Sequence, residues 1–179
     1  MNTNINTVNT DANDEAAQAL SNMFTGSTIA DYSINDGTIT LTLAGGDTIT
    51  IRHETKKIDF ASARSYIREE RKYVDEGVTS RAEEAIKNGQ AITAAWVEKR
   101  EAYESHTPYD EYDETPDTTT ETIELWVMFD GDLRPTRLTS NETEYVWGAK
   151  YPDFTIARGD VTVTADSARI EPDSTRPWR

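Results

Sequence analysis

The chain predicts an α+β fold: an antiparallel β-meander and a second antiparallel β-region, separated by a helical hairpin or small helical insertion. Three observations carry that expectation. Apolar residues alternate with threonine across residues 38–51, recur at helical spacing from Asp59 to Tyr103, and alternate again from Ile123 onward. Grouped strands, then helices, then strands argue for α+β rather than a regular alternation of strand and helix. No repeat of solenoid period is present.

Taken in order, a polar start gives way to Ala16, Ala17, Leu20, Met23 and Phe24 at helical spacing. Asp11, Asn13 or Asp14 can cap this helix, and Gly26 marks its end. In DYSINDGTITLTLAGGDTITIRH, Ile39, Leu41 and Leu43, then Ile49 and Ile51, fall on one face, with turns at Asn35-Asp36-Gly37 and Gly45-Gly46-Asp47. That pattern predicts a three-stranded meander with a threonine-rich wet face.

From Asp59, the spacing of Phe60, Ala63, Ile67 and Val74 predicts a long helix flanked by Tyr66 and Tyr73. Ion pairs from Arg71 to Asp75 and Lys72 to Glu76 would support it, and Gly77 would end it. Ser80 with Glu83 reads as a capping box for a short helix stopping at Asn88-Gly89. A third helix is expected to carry Ile92, Ala95, Trp96 and Tyr103. Pro108 and Pro116 then discourage helix. Ile123 to Phe129, Leu133 to Leu138, Glu144 to Trp147, Phe154 to Ala157, Val161 to Val163 and Ala168 to Ile170 read as strands, either continuing the first sheet or forming a second.

The resulting division is a flexible polar arm over 1–12, helix plus meander over 13–55, helical insertion over 56–105, an acidic tyrosine-containing loop over 106–121, an antiparallel β-region over 122–172 and a tail over 173–179. A chain of 179 residues suits one core with an insertion. It has no cysteine, hence no disulfide framework and no thiolate chemistry. The start has neither a cationic nor an apolar signal region, and no apolar run approaches the ~20 residues that span a bilayer. A cytoplasmic protein of a host cell, or one incorporated in a particle assembled there, is expected.

A net charge of −15 argues against a cationic footprint for nucleic acid and against anionic membranes. The charge is uneven. Residues 1–55 hold seven acids against Arg52, residues 56–100 hold eight acids against ten bases, and residues 101–179 hold eighteen acids against seven bases.

Catalytic signatures are missing, and a non-enzymatic protein without cofactor or metal is expected. His53 ends a strand without HExxH context and reads as a structural or surface residue; His106, amid carboxylates, reads as a local ion-pair partner. Asp130-Gly131-Asp132 resembles a paired-carboxylate cation site but is more simply a hairpin turn, and Gly45-Gly46-Asp47 lacks the Gly-Lys-Ser/Thr continuation of a phosphate loop. Asn141-Glu142-Thr143 matches a glycosylation pattern by accident. Carboxylates brought together only by folding leave no local trace.

The most informative stretch is YESHTPYDEYDETPDTTTETIE, residues 103–124, with eight acids and no Lys or Arg. Extended chain advances about 3.3 Å per residue, so its carboxylates are spaced on the scale of phosphates along a nucleic-acid strand. Tyrosine rings add apolar area and can stack on guanidinium groups. Tyr103, Glu104, Tyr109, Asp110, Glu111, Tyr112, Asp113, Glu114 and Asp117 are therefore the expected partner-binding residues. The competing readings are a solvated linker and a halophilic source, the latter in keeping with twelve Arg against six Lys.

The leading expectation is an acidic binding protein of viral or mobile-element type that inhibits or sequesters a basic, nucleic-acid-binding partner by presenting a phosphate-like surface. The alternative is an assembly component of a virion or other particle, docking through its N-terminal arm and the Arg176-Pro177-Trp178-Arg179 tail. Direct nucleic-acid or membrane binding is not expected, and self-association is left open.

Overall fold

Threonine-interleaved alternation does build the meander, and the same alternation extends through most of the chain. A computed structural model describes residues 3–5, 14–58, 70–75, 78–145, 149–170 and 172. In chain order the elements are β1 (Thr3–Ile5), α1 (Glu15–Phe24), β2 (Ile29–Asn35), β3 (Thr38–Leu43), β4 (Thr48–Ile58) and β5 (Glu70–Asp75). They continue with α2 (Ser80–Lys87), β6 (Ile92–Glu104), β7 (Thr118–Phe129), β8 (Thr136–Tyr145), β9 (Ala149–Arg158), β10 (Val161–Ala165) and a 3-10 turn at Ser167–Arg169.

The strands form two sheets. One runs β1-β10-β9-β4-β3-β2, antiparallel except where β1 lies parallel to β10; the other runs β5-β8-β7-β6 and is antiparallel throughout. Both sequence alternatives for the late strands thus hold in part: β9 and β10 complete the meander's sheet, while β7 and β8 build the second. Register explains the core. Ile39 faces Ile51, Ile51 faces Ile156 and Ile156 faces Val163, so four neighbouring strands point these residues the same way. In the second sheet Val97 opposes Leu125, and both are fully buried.

These faces share one apolar cluster with Ala16, Leu20, Met23 and Phe24 of α1 and Ala82 and Ala85 of α2. Asp14 caps α1 by accepting from the Ala16 amide at 2.9 Å. At the other end of α1, Arg158 Nη1 donates to the Met23 carbonyl at 2.6 Å, a favourable cation for a helix C-terminus. Backbone bonds from Gly26 to the Ile92 carbonyl, 2.7 Å, and from Ile92 to the Ser27 carbonyl, 2.8 Å, tie the entrance of one sheet to the edge of the other. Buried Asn141 adds a second tie, donating Nδ2 to the carbonyls of Glu54 at 2.8 Å and Asp153 at 3.2 Å.

The helical insertion is the main correction. The expected third helix is strand β6, and the end of the expected long helix is strand β5, which holds Arg71, Tyr73, Val74 and Asp75. Phe60, Ala63, Tyr66 and Ile67, Glu76 and Gly77 lie outside the described residues. In β5, residues four apart are separated by extended backbone, so Arg71 and Asp75 are not one helical turn apart. In β6 the cause is local: a register shift between Ile92 and Ala94 resets the alternation, leaving Ile92 and Ala95 both buried at a spacing of three. That spacing imitates a helix face.

Smaller corrections follow. Thr79, not Ser80, caps α2. Ala168–Ile170 belongs to the 3-10 turn capped by Asp166, not to a strand. Leu133 lies before β8 and is 97% exposed. Thr3–Ile5, within the region read as an arm, pairs with the chain's own β10, and the acidic loop ends where β7 begins at Thr118. The tail, 173–179, lies outside the described residues.

Candidate interaction surface at the hairpin tip

Strands β6 and β7 form a long hairpin, paired from Ile92 with Phe129 to Glu104 with Thr118. On the β6 side Arg100 to Glu104 are exposed, while the β7 residues opposite them are half-buried at Thr118–Thr120 and buried at Glu121 and Thr122. The connecting residues, 105–117, are the centre of the acidic tract, so the sequence-predicted residues are brought to the end of one projecting element.

The tip is ordered by its own carboxylates. Asp113 Oδ2 accepts from the Tyr109 amide at 2.9 Å, and Oδ1 from the Thr115 amide at 3.1 Å. His106 Nε2 lies 2.5 Å from Asp113 Oδ2. Asp117 accepts from the Tyr103 hydroxyl and the His106 amide, both at 2.7 Å. Asp110 accepts from the Tyr112 amide at 2.9 Å. The hydrogen bond from His106, with the Tyr109 and Thr115 amides, holds the Asp113 carboxyl far below the usual range. The Tyr103 hydroxyl and the His106 amide likewise lower Asp117, while the Asp117 carboxylate raises the Tyr103 phenol.

The nine expected residues therefore divide. Asp113 and Asp117 shape the loop from within, Tyr103 braces it, and Asp110 holds one amide. Glu104, Glu111 and Glu114 are exposed. Tyr109 and Tyr112 are 92% and 81% exposed, which places two rings in water with carboxylates around them. No Lys or Arg is among the described partners of the tip. The nearest ordered cations of the hairpin are spent lower down: Arg100 forks onto Glu124 with Nε at 2.9 Å and Nη2 at 3.1 Å, and Lys99 pairs with Glu101 and Glu121.

That last pair is a feature sequence reading missed. Lys99 Nζ lies 2.7 Å from Glu121 Oε1 and 2.9 Å from Glu101 Oε1, with the Lys99 and Glu121 side chains only 5% and 1% exposed. Tyr151 presents its ring 5.7 Å from Nζ. Burial works against the ammonium, yet bonds to Glu121 and Glu101 leave its pKa above the ordinary lysine value. Burial pushes the Glu121 carboxyl up to about 7 against the pull of Lys99. Tyr145 nearby is pushed up to about 12 by burial and by Glu121. Had β6 been recognised as a strand, the parity of Val97, Lys99 and Glu101 would have placed these charges on the core-facing side.

The remaining candidates resolve individually. His53 is buried beside Phe154, ring centroids 5.3 Å apart, with Nε2 3.3 Å from Thr139 Oγ1. Asp130-Gly131-Asp132 turns β7 into β8, with Gly131 at φ 88°. Gly45-Gly46-Asp47 turns β3 into β4. Asn141 of the glycosylation-like triplet is fully buried, its amide used between the sheets. Among the described residues, no helix is long and apolar enough to cross a membrane.

Compared with protein-family models, curated proteins and solved structures, the chain matches none.

Proposed function

We propose that this protein is a non-enzymatic binding protein that inhibits or sequesters a basic, nucleic-acid-binding protein through the tip of the β6–β7 hairpin. One observation carries the reading: Tyr109 and Tyr112 stand almost fully exposed on a loop whose conformation is held by internal hydrogen bonds, beside Glu111 and Glu114. A loop ordered before binding loses less conformational freedom on docking. Exposed rings provide the stacking area that guanidinium groups favour, and the carboxylates supply long-range attraction to a cationic groove.

The roles of the acids then differ. Glu104, Glu111 and Glu114 meet the partner, whereas Asp113 and Asp117 keep the loop in shape. The test is binding to a purified cationic nucleic-acid-binding protein over a salt series, by calorimetry. Affinity should fall steeply with salt, and Glu111→Gln/Glu114→Gln with Tyr109→Ser/Tyr112→Ser should weaken it by at least about tenfold. Binding that is insensitive both to salt and to these changes would reject the proposal.

A further inference from the structure

In a chain of net charge −15, one groove is lined by arginine. It has a volume of about 310 Å³ and lies where the first turn of α2 meets the start of β8, with Arg81, Arg134 and Arg137 around it and Trp126 and Thr136 in its wall. Arg81 and Arg134 are exposed and have no ion-pair partner among the described residues. Arg137 reaches Glu124 Oε2 only at 3.4 Å, and that carboxylate is already gripped by Arg100 at 2.9 and 3.1 Å. The acid of the α2 first turn, Glu83, is engaged by the Tyr32 hydroxyl. Two of the three arginines thus have no ion-pair partner among the described residues, and the third shares its carboxylate with Arg100.

A second observation points to a ligand. The indole Nε1 of Trp126, on the same face of the sheet as its cross-strand partner Arg137, is buried and has no hydrogen-bond partner. Buried polar atoms of native proteins are rarely left so without a reason. Thr79, on the same wall, shows the contrast: its hydroxyl donates to the Arg137 carbonyl at 2.5 Å. The N-terminal turn of α2 adds a partial positive charge to the same groove.

We propose that this groove binds a phosphate group, as free phosphate or as a small phosphomonoester, with Arg81, Arg134 and Arg137 supplying the charge and the Trp126 indole supplying a neutral donor. A carboxylate offers two oxygens, fewer than three guanidinium forks and a further donor can use. Phosphate offers three terminal oxygens and nearly two charges. The site is separate from the hairpin tip and does not depend on the function proposed above.

The indole N–H of Trp126 is the reporter, assigned by its disappearance in Trp126→Phe. Inorganic phosphate and adenosine monophosphate are each titrated into the ¹⁵N-labelled protein at constant ionic strength, with adenosine and sodium chloride as controls. The expected result is a saturable shift with both anions and none with the controls. Tighter binding of the monophosphate assigns an ester, and equal binding assigns the free ion. Arg81→Gln/Arg134→Gln should weaken binding by at least about tenfold, with the melting temperature of the variant checked. Lack of a saturable shift, or a response unchanged in the folded double-arginine variant, overturns the proposal.

Discussion

Glu121 and Lys99 show what a single residue costs when its surroundings are apolar. The Glu121 carboxyl stands at about 7 in the folded protein against an ordinary 4.5, so its protonated form is the one the fold favours. Its contribution to stability is full below about pH 4.5 and is lost as pH rises through about 7. Urea unfolding from about pH 5 to pH 8 should show wild type losing stability relative to Glu121→Gln as pH rises; a constant difference would contradict the assignment. Removing only the cation should be worse than removing both charges. Lys99→Met leaves Glu121 buried without its cation and should lower stability by an amount that grows as pH rises above about 7, whereas Lys99→Met/Glu121→Leu recovers most of that loss in the same denaturation experiment. At the hairpin tip, Asp113 acts on the loop alone. Asp113→Ala should accelerate hydrogen exchange of the Tyr109 and Thr115 amides several-fold and leave the β7 amides unchanged.

At the scale of elements, turns and strands announced themselves where local chemistry and tertiary demand agree. Asp36 and Gly37 both adopt positive φ, 48° and 73°, the pattern that joins two twisted strands through a two-residue turn. A Cβ at Gly37 would come no nearer than 3.9 Å to the His53 carbonyl, so Gly37→Ala costs backbone conformation rather than a clash. It should lower stability by about 1 kcal/mol, readable as a shift in thermal midpoint. The meander, α1 and α2 were legible for the same reason: periodicity, caps and glycines all point one way. Strand β6 was not. Its Ala-Ala and Glu-Lys-Arg-Glu-Ala segments favour helix locally, and the register shift at Ile92 produces a helix-like spacing. Pairing with β7 along its whole length overrides both. On the β6 side the outer part of that hairpin, Arg100 to Glu104, lies outside the apolar core. Replacing residues 105–117 by Asn-Gly, a turn suited to the Glu104–Thr118 pair, should move the melting temperature by only a few degrees, about the effect of 1 kcal/mol, while abolishing binding of a basic partner.

For the molecule as a whole, charge and architecture have different origins. The excess of acid, the tyrosines interleaved with it at 109 and 112 and the break between alternating segments were readable directly, because charge, turn chemistry and two-residue periodicity are properties of neighbouring positions. Those features sufficed to choose the acidic tract as the candidate surface. They could not say that Asp113 and Asp117 turn inward to brace the loop, since that division follows from how its backbone amides are presented. Nor could they assemble the arginine groove, whose members come from α2, the β7–β8 connection and β8, or bury Lys99 against Glu121 from adjacent strands. What the sequence by itself determined is the alternating apolar faces, the capped helices and the anionic character of the chain. Only the tertiary structure decided that the described part of the supposed helical insertion is largely sheet, that the late strands divide between two sheets, and which charges are buried, paired or left facing water. The physical reason is that strand pairing and burial depend on residues distant in the chain, and those contacts outweigh the few tenths of a kcal/mol per residue by which local propensity distinguishes helix from strand.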